Sequence, residues 1–114
     1  MDAFEVTLLF DTYGGMLTDK QREYLDMRYN QDMSLGEIAQ ELQVSRQGVY
    51  DNLSRAEALL KNMEEKTGCV RRDLQYRKAI RSILDIAEEL AQSEDPQISD
   101  LAGQIKAQVQ GLEE

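Results

Sequence analysis

The chain has 114 residues, 41% of them apolar, with 13 basic against 22 acidic side chains, no histidine and one cysteine. This length suits one compact domain with an extension; the lone Cys69 excludes an internal disulfide, and without histidine a zinc centre lacks its usual ligands, so neither metal nor cofactor is expected. No basic-then-apolar leader and no apolar run of about 18 residues occurs, which points to the cytoplasm, and the net charge of −9 counts against a protein whose main task is holding polyanions.

In chain order, Phe4, Val6, Leu8, Leu9 and Phe10 predict an apolar-rich helix from Asp2 to Tyr13, with Asp2 and Glu5 where the helix dipole favours anions. Gly14-Gly15 stops it, and both phenylalanines are expected in the core. A second helix is announced by Thr18 and Gln21, a capping box in which hydroxyl and amide each satisfy an orphan N–H. Tyr24, Leu25 and Met27 are its apolar positions, and Asn30-Gln31-Asp32 is a polar turn.

The stretch Ser34 to Ala56 organises the rest. Ser34 and Glu37 form another capping box, and Leu35, Ile38, Ala39 and Leu42 follow the i, i+3, i+4, i+7 spacing of one buried face. Ser45 caps a further helix with an inner stripe of Val49, Leu53, Ala56 and Leu60 at i, i+4, i+7, i+11. Two capped helices about three residues apart are the signature of a helix-turn-helix. Val44 is expected to plug the turn into the core, and Gln43, where many such turns carry glycine, to hold a left-handed conformation. Leu59, Leu60 and Met63 continue the second helix to Thr67-Gly68, so its distal half should pack on something from the C-terminal third.

Beyond Gly68, a helix over Val70 to Gln92 carries Tyr76, Ile80, Ile83, Ala87 and Leu90 at heptad-like spacing. Pro96 then marks either a turn or the first turn of a last helix, about Gln97 to Gly111. No strand-like alternation is present. The expected protein is therefore all-α, with a wing-free helix-turn-helix domain over residues 1–68, a long recognition helix, and a two-helix extension over 69–114 that packs on that domain or dimerises.

With Val49, Leu53, Ala56 and Leu60 inward, about 100° per residue turns Gln47, Asp51, Ser54 and Ala58 outward, flanked by Arg46, Tyr50 and Arg55. In a DNA-binding reading Arg46 and Gln47 read base edges, while Tyr50, Ser54 and Arg55 contact edges or phosphates. The helix N-termini at Ser34 and Ser45 offer N–H groups to phosphates. Asp51 is useful in a groove only by accepting from a cytosine amino group. The concentrated positive charge lies elsewhere: residues 66–81 hold six basic groups, Lys66, Arg71, Arg72, Arg77, Lys78 and Arg81, against one acidic group. They form an alternative surface for RNA phosphates or an acidic protein, or a solvated face balanced by the acidic tail. No nucleophile–base set or phosphate-cradling glycine loop is present, so no catalysis is expected. The heptad-like seam and the habit of helix-turn-helix readers of binding two half-sites together suggest a homodimer.

The stretch Leu17 to Leu60, with L-T-x-x-Q-R-E-Y-L, S-L-G-E-I-A-Q-E-L and V-S-R-Q-G-V-Y-D-N-L-S-R-A, resembles region 4 of bacterial sigma factors. The whole chain, including the D-x-F-E-V-T-L-L-F-D-x-Y-G opening and the G-C-V-R-R-D junction, resembles the YlxM family of small bacterial proteins. That resemblance implies a cytoplasmic helix-turn-helix protein encoded near the signal recognition particle genes and acting in or regulating that pathway. DNA is then the first expected partner, with RNA or a signal recognition particle component the alternative.

Overall fold

The computed structural model describes residues 2–112. Among them six α-helices follow one another: α1 (Ala3–Tyr13), α2 (Asp19–Leu25), α3 (Leu35–Leu42), α4 (Arg46–Thr67), α5 (Cys69–Ala91) and α6 (Pro96–Leu112). A 3-10 turn at Gly14–Met16 follows α1 and a π-helical turn at Asp26–Asn30 extends α2. No strand occurs among the described residues, so the protein is all-α and its helix-turn-helix has no wing. The chain divides into two compact units, Met1–Val70 and Arg71–Glu114.

In the first unit, α1 is capped by Asp2, whose Oδ1 accepts from the Glu5 N–H at 2.8 Å. Its buried face is Val6, Leu9 and Tyr13, which α4 covers. Phe10 packs at the edge of this core, but Phe4 is 69% exposed, because the stripe through Val6, Leu9 and Tyr13 places Phe4 on the opposite side of the helix. The expectation of two core phenylalanines is corrected to one. Gly14 is buried against the Phe10 ring, and a Cβ there would stand 2.9 Å from a ring carbon. The tight exit from α1 therefore needs glycine.

α2 opens on the capping box read from the sequence, with the Gln21 N–H donating to Thr18 Oγ1 at 3.1 Å and the Thr18 N–H to Gln21 Oε1 at 2.9 Å. It then widens: the Gln31 N–H reaches the Asp26 carbonyl at 2.9 Å, the i→i+5 bond of a π turn. Asn30 and Gln31 donate their amides to the Asp26 carboxylate at 2.8 and 2.7 Å and hold its carboxyl below the ordinary carboxylate range. Arg28 Nη1 ties the segment forward to the Met33 carbonyl at 2.8 Å, ahead of α3.

α3 and α4 form the helix-turn-helix. Gln43, at φ 56° and ψ 47°, ends α3 in the left-handed conformation expected for it. Val44, by contrast, is 42% exposed and does not plug the turn; Leu35 and Leu42 of α3 pack against the core instead. Ile38, Val49, Ala56 and Leu60 are fully shielded from solvent, and each large one stabilises the fold by roughly 1.5–3 kcal/mol. The distal half of α4 finds its partner at the start of the chain: the Tyr13 hydroxyl donates to Glu64 Oε1 at 2.6 Å and shares a hydrogen bond with the Thr67 hydroxyl. Gly68, at φ 64°, ends α4.

In the second unit α5 and α6 run antiparallel. Lys106 Nζ lies 2.6 Å from Glu88 Oε2, and the Ser99 hydroxyl donates to the Ala91 carbonyl at 3.4 Å. Ala87, Ala102 and Val109 are buried between the helices. Pro96 is the first residue of α6, where its missing N–H removes no helical bond. The seam expected along α5 divides: Ala87 and Ile80 turn inward, while Tyr76, Ile83 and Leu90 remain exposed.

Candidate nucleic-acid interface

The interface is built on the first three turns of α4. Ser45 Oγ accepts from the Gly48 N–H at 2.9 Å, which fixes where the helix begins. Burial of Val49 and Leu53 then fixes its rotation. With that side anchored, Arg46, Gln47, Tyr50, Ser54 and Arg55 are exposed, and Asp51 is half-buried among them. Tyr50 is 55% exposed.

The polar groups on this face hold one another. Gln47 Nε2 donates to Asp51 Oδ1 at 3.0 Å, and Arg55 Nε donates to the Asp51 backbone carbonyl at 3.3 Å. Gln47 thus already gives a donor to Asp51, and reading an adenine with both amide groups would break that bond. Asn52, beside the face, donates to the Gly48 carbonyl at 2.8 Å and is engaged with its own helix.

The two helix N-termini differ. At α3, Glu37 occupies the first turn and its Oε1 accepts from the Ser34 N–H at 3.1 Å, while Ser34 Oγ accepts from the Glu37 N–H at 3.1 Å. The Ser34 backbone N–H, and then its hydroxyl, hold the Glu37 carboxyl below its ordinary range. A carboxylate therefore already takes the place of a phosphate there. The first turn of α4 has no acidic residue and carries Arg46; Ser45 Oγ takes the Gly48 N–H, and the helix dipole there favours an anion.

Sequence reasoning missed a hydrogen bond that braces the middle of α4. The Tyr29 hydroxyl donates to Glu57 Oε1 at 2.6 Å, joining the π turn after α2 to the middle of α4. Burial, and then this carboxylate, push the Tyr29 phenol well above its usual range. The contact spans 28 residues, and no periodicity reports it. The alternative basic set is spread over two elements, with Lys66 near the end of α4 and the others on α5; all six are exposed, and Arg77 pairs with Asp73 at 2.9 Å.

Comparison with known proteins places this geometry in a family. The model of UPF0122, described as "Putative helix-turn-helix protein, YlxM / p13 like", matches residues 2–106. The chain belongs to this family. A UPF0122 protein of Thermoanaerobacter pseudethanolicus is 44% identical over 112 residues, 97% of this chain and 96% of its relative. One from Acetivibrio thermocellus is 52% identical over 81 residues, covering 71% and 69%, and one from Halalkalibacterium halodurans is 42% identical over 87 residues, covering 76% and 80%. The UPF0122 match runs through both units, so the α5–α6 hairpin belongs to the family pattern along with the helix-turn-helix. Among the described residues no helix is long and apolar enough to cross a membrane.

Proposed function

We propose that this UPF0122 protein is a DNA-binding regulator that lays the first three turns of α4 in the major groove. The observation that carries the reading is the exposed polar face of Arg46, Gln47, Tyr50, Ser54 and Arg55, held over the fully buried Val49 and Ala56 by a capped helix start free of acidic residues. Arg46 and Gln47 read base edges, Arg55 and Ser54 position the helix on the backbone, and the α4 N-terminus receives a phosphate. The electrophoretic retardation of genomic DNA fragments, titrated against salt, tests this. Retardation that strengthens at low ionic strength, with a salt slope that falls by about one in Arg55→Ala, supports it. No retardation even at low ionic strength rules it out.

A second reading is an adaptor that binds a signal recognition particle component, protein or RNA, through the basic residues of 66–81. It is favoured by the exposure of these residues outside the α4 face. Reversing Lys66, Arg71 and Arg72 to glutamate abolishes co-purification of such a component under this reading and leaves DNA retardation by α4 unaltered.

A further inference from the structure

The hairpin of the second unit leaves large apolar side chains exposed along both of its helices. On α5, Ile80, Leu84, Ala87 and Ala91 recur at steps of four, three and four and face α6. A second series, Tyr76, Ala79, Ile83, Ile86 and Leu90, recurs at three, four, three and four, and about 100° per residue sets it roughly a quarter-turn around the helix. Tyr76, Ile83, Ile86 and Leu90 are 64, 43, 56 and 41% exposed. α6 repeats the arrangement: Ala102 and Val109 turn to α5, while Ile98, Leu101, Ile105 and Leu112, displaced in the same rotational sense, are 39, 51, 38 and 74% exposed.

Because the helices are antiparallel, equal displacements put both open stripes on one face of the hairpin. The Lys106–Glu88 pair lies towards the other face. Each helix thus has two apolar sides roughly at right angles, one used and one open, as in half of a four-helix bundle. The open face carries eight large apolar side chains that are 38–74% exposed and contiguous, roughly the several hundred Å² that mark an interaction site and approach the ~800 Å² per partner of a stable interface.

Charge identifies the occupant. Of the charged residues of α5, Lys78 towards its start and Glu89 towards its end lie along the outer flank of the open stripe, whereas Arg81 and Glu88 turn to the other face. We infer that this face is covered by the same face of a second copy of the chain, packed around a two-fold axis that crosses α5 near Ile83, with α5 antiparallel to its counterpart. That axis brings Lys78 of each copy beside Glu89 of the other. A two-fold axis along the helices would set like ends together, and charge disfavours it. A groove lined by Tyr76, Ala79, Ile80 and Leu112, with the Asp73–Arg77 pair at its rim, receives the Ile86–Leu90 portion of the second copy.

Sedimentation equilibrium of the full chain between 1 and 100 µM tests the inference. A particle of twice 13.1 kDa is expected. Ile86→Glu, at a position whose side chain already meets solvent, should give a monomer with unchanged helical circular dichroism. Lys78→Glu and Glu89→Lys should each weaken the dimer about fivefold at low salt, and the double variant should regain most of that loss. A monomeric wild type overturns the inference and leaves the face for a helix of another protein. A dimer indifferent to Ile86→Glu, or a double variant no tighter than either single one, overturns it equally.

Discussion

Gln43 shows how a local rule yields to the fold. At φ 56° it occupies a conformation that costs an L-residue about 1–2 kcal/mol, yet α3 must end there for α4 to cross it. The cost was legible in the sequence, because a non-glycine stood where the turn reverses. Gln43→Gly relieves the strain but loosens the unfolded chain, so a net gain of about 0.5–1 kcal/mol in denaturant unfolding is expected. A loss would mean that the Gln43 side chain contributes more than the strain removes. Asp51 was also legible from helical rotation, although its hydrogen bond with Gln47 depends on side-chain conformations that spacing alone leaves open. Asp51→Asn removes a negative charge from the proposed groove face. Affinity for non-specific DNA should rise several-fold while discrimination among sequences falls, as competition binding would measure. Weaker binding by this variant would instead make the carboxylate a direct acceptor from a base.

At the scale of elements, caps and stripes carried the sequence reading well. Both capping boxes, the Ser45 cap and the Gly68 stop lie where local chemistry put them, because each depends on residues within a turn of one another. The π turn at Asp26–Asn30 was not legible, since its wide bonds leave the order of apolar residues nearly unchanged. Phe4 and Val44 were misjudged because hydrophobicity says that a residue favours burial, not that a neighbour is present to bury it. The brace from Tyr29 to Glu57 joins two elements and has an alkaline signature. Its phenol keeps a proton that the unfolded chain releases above the usual value of 10.0, so the stabilisation is complete below that pH and fades as pH rises through the higher folded value. Tyr29→Phe should cost about 1 kcal/mol at neutral pH, and the difference from wild type should shrink above pH 10. A constant difference across that range would show that the hydroxyl and Glu57 are not coupled in solution.

Across the full chain, the concentration of positive charge in residues 66–81 is legible from the order of residues alone. The chain is acidic overall, and the proposed α4 face sets three exposed polar side chains between two arginines, so the proposed binding relies on the helix terminus and a few directed contacts more than on bulk charge. What periodicity could not settle was how the α5 seam divides. One stripe of apolar residues serves a neighbour in the chain and a second lies open beside it, and only the antiparallel placement of α6 separates the two. On the inferred two-fold pairing, two copies of the α4 face would be held in one particle and could address two half-sites of a symmetric DNA element. The most direct test of DNA binding through α4 is a backbone amide NMR titration of the full chain with a DNA fragment recovered by selection. Shifts concentrated between Ser45 and Arg55, the Arg46 and Gln47 amides foremost, are expected. Shifts confined to Lys66–Arg81, with the α4 N-terminus unchanged, would contradict it.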